Sequence, residues 1–299
     1  MNVSIIIVNF NTKDLLANCL QSIYEQTHNL NFEIIVVDNA SNDGSQSFVK
    51  SNFPQVILVQ SKINLGFGLA NNLGANQSKG EFLFFLNSDT ILVENSVKIL
   101  FDFFKLNEAS LNIGVLGSIL IDERFQTNGF GSHFPTCKEE NILNLKKIPL
   151  IKLLMSDLKN KEYVLSKDYF EIDYVIGADM FMRKALFEKL NGFCKDFFMY
   201  YEESDLQIRI KNIGLKRYIT TKTKIIHLED GSGKIIKKYS NRKRTIVHKS
   251  KNIYLKKNDK ENFLNYVMLD IIVLILNFLN FKYSFRENLN YFREIIKTY

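Results

Sequence analysis

Two hydrophobic rhythms alternate through the first ninety residues. Residues 3–8, 32–37, 56–59 and 81–86 are short, nearly unbroken apolar or β-branched runs, the pattern of strands buried on both faces of a parallel sheet. Between the first two runs, Leu15, Leu16, Cys19, Leu20 and Ile23 recur at helical spacing, and Ala70, Leu73 and Ala75 mark a shorter helix before the fourth strand. Each strand ends in a polar loop: Asn9-Phe10-Asn11-Thr12, then Asp38 to Ser45, then Asn64-Leu65-Gly66-Phe67-Gly68, and last Asn87-Ser88-Asp89. Strands alternating with helices in this way predict an α/β nucleotide-binding half, with the loops side by side along the carboxyl edge of the sheet. Asn11 or Thr12 is placed to cap the first helix.

Beyond Asp89 the pattern loosens. A helix is expected over 93–104 and a strand over 113–121. Residues 122–168, with Pro135 and Pro149, read as a loop with helical pieces of the kind that recognises an acceptor. A strand then approaches Gly177, where a ligand or another backbone comes close. A helix over 184–190 stops at Asn191-Gly192. Glu202, Glu203 and Asp205 open the next helix behind Phe197-Phe198-Met199-Tyr200-Tyr201, and Ile225-Ile226-His227 ends a strand.

Composition narrows the class. The chain has 299 residues, 46% of them apolar and 24% charged, with a net charge of +7, enough for one large α/β domain and a helical appendage. Much of the positive excess is late, in Lys234, Lys237, Lys238, Arg242, Lys243 and Arg244 and again in Lys249, Lys251, Lys256 and Lys257. Such runs suit an anionic membrane surface or a phosphate-bearing ligand, or simply a solvated face. No aromatic stacking module interleaves with the lysines, so nucleic acid is not an expected partner. Cys19, Cys137 and Cys194 are odd in number and scattered, which points to a reducing cytoplasm. The start lacks a basic leader and a small-residue cleavage site, so no signal peptide is expected. The apolar stretch 263–281 contains Asn265, Asp270, Asn277 and Asn280. It is expected to pack on the domain or lie at an interface without crossing a bilayer.

The loops carry the candidate chemistry. Asp89 stands just past a buried strand, where α/β sheets bind ligands and where a carboxylate meets a metal or a phosphate-bearing group. Asn87-Ser88-Asp89 reads equally as a turn capping a helix. Asp38 suits ribose hydroxyls or a base, and the asparagines suit base edges. Gly66-Phe67-Gly68 lacks the third glycine of a dinucleotide fingerprint and does not follow the first strand, and no Gly-Lys-Ser/Thr loop is present. The aromatics ahead of Glu202 and Glu203 make a partly dry setting that raises a carboxylate pKa toward that of a working base, although acidic residues there also suit the helix dipole. Taken alone, His227 reads as structural.

Four landmarks occur together and in order: 4–11 (Ser-Ile-Ile-Ile-Val-Asn-Phe-Asn), 36–45 around Asp38, Phe85-Leu86-Asn87-Ser88-Asp89, and 198–205 around Glu202-Glu203. The combination resembles the family 2 glycosyltransferases with a GT-A fold, most closely the bacterial rhamnosyltransferase-like branch, over residues 1–255. The resemblance implies a GT-A domain, a Rossmann-like nucleotide-binding half with a mixed sheet, followed by a C-terminal helical extension at 256–299. It implies donor contacts at Val8, Asn9, Asn11, Asp38, Asn64, Gly66, Phe67, Asn71, Asn87 and Ser88. It makes Asn87-Ser88-Asp89 a degenerate Asp-X-Asp motif, with Asp89 and the late His227, followed by Gly231 and Ser232, as ligands of Mg²⁺ or Mn²⁺. Glu203 falls where the family places its aspartate base, one methylene longer, and Gly192-Phe193-Cys194-Lys195 departs from the usual glycine-phenylalanine-aspartate-glutamate.

The implied activity is inverting transfer from a nucleotide-sugar, dTDP-rhamnose or a UDP-hexose, to a glycan or lipid-linked hydroxyl in cell-surface polysaccharide synthesis. O-antigen precursors are one such product. The expected place is the cytoplasm, with the basic apolar tail at the inner membrane face. A sugar-nucleotidyltransferase would want a Gly-rich cationic loop where Asn9-Phe10-Asn11-Thr12-Lys13 stands. A non-catalytic carbohydrate-binding scaffold would not need Asp38, Asp89, Glu203 and His227 together.

Overall fold

The computed structural model describes residues 1–148, 151, 167–228, 240–279 and 282–299. Gly231, Ser232, Lys234, Lys237, Lys238 and Pro149 lie outside the described residues. The chain divides into two compact units, one of residues 1–133, 163–198 and 202–235, the other of 134–162, 199–201 and 236–299.

The first unit begins β1 (Val3–Asn9), α1 (Lys13–Gln26), β2 (Phe32–Asp38), α2 (Ser45–Asn52), β3 (Ile57–Gln60), α3 (Phe67–Ala75) and β4 (Phe82–Asn87). The four strands lie parallel in the order β3-β2-β1-β4. Then follow β5 (Thr90–Leu92), α4 (Ser96–Leu111), β6 (Ile113–Ile121), β7 (Thr127–Gly129) and β8 (Gly131–Ser132). After residues of the second unit come β9 (Tyr169–Ile172), β10 (Tyr174–Val175), β11 (Asp179–Arg183), α6 (Lys184–Lys189), α7 (Glu202–Asn212) and β12 (Lys216–His227). The sheet continues past β4 as β11-β6-β12-β5, and β11 and β5 run antiparallel to their neighbours. The sheet is therefore mixed, with a parallel nucleotide-binding half.

β4 sits at the centre, between β1 and β11, and Phe82 to Leu86 are all buried. Its alternation divides the core. Phe82, Phe84 and Leu86 face Leu16, Leu20 and Ile23 of α1 and Val97, Leu100 and Phe104 of α4. Leu83 and Phe85 face Phe187, Phe193, Leu206 and Ile210. Rings interlock on both sides, with Phe82 stacked on Phe181 at 5.1 Å and Phe85 edge-on to Phe193 at 5.2 Å. Each such side chain contributes roughly 1.5–3 kcal/mol by leaving water. The helix expected over 93–104 starts later, at Ser96, and runs to Leu111.

The second unit contains α5 (Cys137–Leu145), α8 (Asn241–Asn258), α9 (Lys260–Leu276), a 3-10 turn (Asn277–Leu279) and α10 (Phe285–Ile296). Helix α8, which the expected boundary at 255 cuts near its end, groups here as a whole. α5 lies in the stretch read as loop with helical pieces and is fixed by a capping box of Thr136 and Glu139. Asp270, the charge that interrupts the apolar stretch, is buried on α9. Its Oδ2 is 2.7 Å from His248 Nε2 and accepts from the Tyr299 hydroxyl, and its Oδ1 accepts from Asn144 Nδ2 at 3.1 Å. Residues 260–279 are long and apolar enough, at a mean hydropathy of 1.8, to cross a membrane by length and composition alone.

Candidate active site

The loops after β1, β2 and β3 are tied to one another by side chains. Asn9 Nδ2 donates to Asp38 Oδ2 and to Ser41 Oγ, each at 3.0 Å. Asp38 is buried, and its Oδ1 accepts from the Ser41 amide at 3.0 Å and from Gln46 Nε2 at 2.7 Å. Since a carboxylate offers about four acceptor sites, Oδ2 keeps capacity for a ligand. Asn11, at a positive φ of 56°, accepts from the Asn42 amide at 2.8 Å. Thr12 occupies the start of α1 without capping it. Its hydroxyl donates to Asn9 Oδ1 at 2.7 Å and lies 3.0 Å from Ser88 Oγ, while Asp43 Oδ2 accepts from the Lys13 amide.

Asn39 joins the second loop to the third. Its Nδ2 donates to Asn64 Oδ1 and to the Gly66 carbonyl at 3.0 Å each, and its Oδ1 accepts from the Leu65 amide at 2.8 Å. Asn39 is not among the expected site residues, although an asparagine directly after the strand-ending aspartate is a usable signal. Asn71 is buried, with its amide turned back to the Phe67 carbonyl at 3.1 Å. Val8 packs beside Ile35, Val37 and Ala70.

After β4 the chain does not enter a helix, which removes the reading of Asn87-Ser88-Asp89 as a cap. It turns into β5, which pairs with the end of β12 so that Thr90 faces His227. The Leu228 amide donates to the Asp89 carbonyl at 3.0 Å. This register brings Asp89 Oδ1 to 3.4 Å from His227 Nε2, with Asn87 Nδ2 also 3.4 Å from that nitrogen. Neighbouring ligands of an octahedral ion at about 2.1 Å stand ~3 Å apart, so this carboxylate and imidazole fit a shared Mg²⁺ or Mn²⁺. Among the described residues no group of three or more His, Cys, Asp or Glu side chains is gathered for a metal. Two candidate donors, Asp89 and His227, therefore stand together at this place.

Asp179, on β11 opposite Leu86, is a further carboxyl, inside the strand expected before Arg183. Its Oδ2 accepts from the amide and the hydroxyl of Ser118, both at 2.6 Å, and its Oδ1 has no hydrogen-bond partner among the described residues. Burial pushes its pKa up to about 7, against the pull of Ser118 and of nearby His227. A charged residue in an otherwise apolar strand, Asp179-Met180-Phe181-Met182, was the available signal.

Glu203 enters from α7. Three glycines let the start of that helix close on the sheet edge. A Cβ on Gly66, whose φ is +83°, would stand 1.9 Å from the Phe198 carbonyl oxygen, which accepts from the Phe67 amide at 2.9 Å. A Cβ on Gly68 would meet Glu202 Cβ at 3.4 Å, and one on Gly177 would meet Phe67 Cε1 at 3.2 Å and Glu203 Cβ at 3.9 Å. Ala178, next to Gly177, accepts from the Asn87 amide at 3.0 Å. Glu203 and the Asn87–Asp89 turn thus flank the same two residues at the end of β4. Desolvation pushes the Glu203 pKa up to about 7, partly offset by the amides of Glu203 and Ser204.

The other acids of this knot have separate places. Glu202 is buried against Gly68. Asp205 holds Arg209 Nε at 3.0 Å, and Arg209 also donates to the carbonyls of Leu190 and Gly192. In the departing Gly192–Lys195 segment, Phe193 is core and Cys194 Sγ lies 3.5 Å from Asp196 Oδ2.

A parallel half-sheet with polar loops on its carboxyl edge, completed by antiparallel strands and a carboxylate turn, defines a GT-A fold. Solved structures agree. The Staphylococcus aureus TarS fragment 1–349 in complex with UDP superposes with a TM-score of 0.56 at 16% identity, over 100% of this chain and 81% of that one. The Pyrobaculum calidifontis mannosyltransferase PcManGT with GDP-Man and Mn²⁺ gives 0.58 at 16% identity, over 97% and 73%. Residues 4–190 match the family model described as Glycosyl transferase family 2, and the chain belongs to that family.

Among curated relatives, a Bacillus spizizenii poly(ribitol-phosphate) beta-glucosyltransferase is 31% identical over 124 residues, 40% of this chain and 20% of the relative. The Staphylococcus aureus poly(ribitol-phosphate) beta-N-acetylglucosaminyltransferase TarP is 34% identical over 119 residues, 38% and 36%. The chain spans a fifth to about a third of these relatives' lengths.

Proposed function

We propose that the chain is an inverting, metal-dependent glycosyltransferase that moves a hexose from a nucleotide-sugar to a hydroxyl of a cell-surface polymer or its lipid-linked precursor. The observation that carries this reading is that the Asn87 amide bonds the Ala178 carbonyl while the neighbouring Gly177 is where Glu203 comes close, with Asp38 held by the cross-braced loops. The relatives' names favour a UDP-hexose or UDP-N-acetylhexosamine over dTDP-rhamnose, because they describe glucosyl and N-acetylglucosaminyl transfer. Free thiols at Cys19, Cys137 and Cys194 support a cytoplasmic setting.

In this reading Asp38 receives a ribose hydroxyl or a base edge through its spare acceptor capacity, held in place by Asn9, Ser41 and Gln46. The loop at Asn64, Gly66 and Phe67, fixed by Asn39, closes over the nucleoside. Asn87 and Ser88 flank the diphosphate. Asp89 and His227 hold Mg²⁺ or Mn²⁺, which when bound supplies positive charge at the leaving diphosphate. Glu203 takes the proton of the acceptor hydroxyl as the oxygen attacks the anomeric carbon from the face opposite the diphosphate, which inverts that centre. Its raised pKa leaves it basic enough to accept the proton at neutral pH. A thermal-shift screen of nucleotide-sugars with Mn²⁺ tests the reading. Stabilisation by one sugar-nucleotide, lost in Asp89→Ala, is expected. No shift with any of them would contradict it and favour a non-catalytic scaffold.

A further inference from the structure

Helix α9 is built inside out. Its inward side carries the charged Asp270 with Tyr266, Val273 and Leu274. Its outward side carries Leu264, Met268, Ile272 and Ile275, continued by Leu279 in the 3-10 turn, and these are 49–72% exposed. Their spacing of three and four residues makes one continuous stripe. A single exposed leucine needs no explanation, whereas a contiguous apolar stripe marks a contact surface. The buried side is committed to the Asp270 cluster, so the stripe is the face left for a partner.

A cavity of about 220 Å³ opens at the carboxyl end of the same helix. Val273, Leu274 and Asn277 form one wall, and Lys147, Arg244 and Lys282 bring three cations to it. The one carboxylate there, Asp270, is already bonded to His248, Tyr299 and Asn144. Arg244 is held rigidly by neutral groups. Its Nε donates to Asn241 Oδ1 at 2.6 Å, its Nη2 to Asn288 Oδ1 at 2.9 Å, and its Cζ lies 3.7 Å and 4.0 Å from the ring centres of Tyr283 and Tyr291. Lys147 donates to Asn144 Oδ1 at 2.8 Å and makes no ion pair among the described residues. A preorganised guanidinium beside two ammonium groups suits a phosphate. At ~30 Å³ per water the cavity has room for roughly seven, more than a phosphoryl group needs.

Stripe and cavity meet on the last turns of α9. Exposed cations stand beyond both ends of the stripe, Lys256, Lys257 and Lys260 before it and Lys282 and Arg286 after it. Apolar side chains between cationic ends match the surface of an anionic bilayer, in which a helix lies ~5–10 Å deep among the headgroups. We infer that the helical unit docks on a bilayer containing anionic phospholipid, with the α9 stripe in the acyl boundary and a lipid phosphate in the Lys147–Arg244–Lys282 cavity. The inference rests on this unit alone and holds whichever sugar is transferred.

The test is sedimentation of the full chain with vesicles of phosphatidylcholine alone and of phosphatidylcholine with phosphatidylglycerol. The wild type is expected to partition at least tenfold better onto the phosphatidylglycerol vesicles. Met268→Glu/Ile272→Glu, with an unchanged melting curve, is expected to lose at least tenfold. Lys282→Gln, an exposed change, is expected to reduce the phosphatidylglycerol preference several-fold.

Four results would each overturn the inference. The first is equal binding to both vesicle types. The second is binding unaffected by the double substitution. The third is a wild-type dimer that ignores vesicles and becomes monomeric in the double variant, which assigns the stripe to a second copy. Stabilisation by inorganic phosphate without vesicle binding would also overturn it, since the cavity then serves a soluble phosphate.

Discussion

At the scale of single residues, the proposed reaction divides the work between two carboxylates, Asp89 after β4 and Glu203 on α7. A base role for Glu203, as proposed, needs its ionised form, so kcat/KM is expected to rise tenfold per pH unit below about 7 and level off above it. In the proposed reading Asp89 acts through the ion, so Asp89→Ala is expected to abolish the gain in donor affinity on adding Mn²⁺, read by calorimetry with and without the metal. Asp179 behaves differently. Its folded pKa lies near 7 and its ordinary value is 3.8, so the unfolded chain ionises first and native stability falls as pH rises between the two. Asp179→Asn keeps an acceptor for Ser118 and removes that slope. Its melting temperature in metal-free buffer should therefore gain on the wild type progressively from pH 4 to pH 7, and an unchanging difference would show that the carboxyl is ionised throughout.

At the scale of elements, the loops are held by asparagines and glycines whose duties differ. Gly44 and Gly66 both have φ above +80°, but a Cβ at Gly44 meets nothing within 4 Å while one at Gly66 runs into the Phe198 carbonyl. Gly44→Ala should cost about 1–2 kcal/mol, the left-handed penalty alone. Gly66→Ala should cost more and also weaken donor binding, because it pushes the α3 loop away from α7; equal losses in urea melts would deny that close approach.

The β1, β2 and β4 strands were legible because burial on both faces writes itself as an apolar run, β3 at the sheet edge because it too is a short apolar run though only partly buried, and the loops because polar residues cluster at such ends. The cap expected of Asn11 or Thr12 was not, since the Thr12 hydroxyl is drawn to Asn9 and Ser88 across the sheet edge. Neither was the meeting of Asp89 with His227, which depends on β5 pairing with a strand that ends more than a hundred residues later. Resemblance supplied that pairing where periodicity had nothing to say. Asn39 and Asp179 escaped because their partners, Asn64 with Gly66 and Ser118, are remote in the chain.

At the scale of the whole molecule, two units carry two kinds of chemistry. The first presents a family 2 sheet edge with its acids. The second closes around a buried charge, Asp270, whose carboxyl is held well below the ordinary range chiefly by His248, against the opposing effect of burial. A depressed carboxylate stabilises above its unfolded pKa and loses that contribution as pH falls through the folded value. His248, depressed by burial, adds a loss that begins below 6.5.

The claim on which the rest depends is that Glu203 removes the proton at the edge where Asp89 holds the ion. Its most direct test is the turnover of Glu203→Gln beside the wild type, with donor and Mn²⁺ at saturation, across pH 5 to 9. The account predicts a loss of about 10²- to 10⁴-fold, no remaining dependence on a group near 7, and donor affinity within a factor of two of wild type. Near-wild-type turnover with the same pH profile would contradict it.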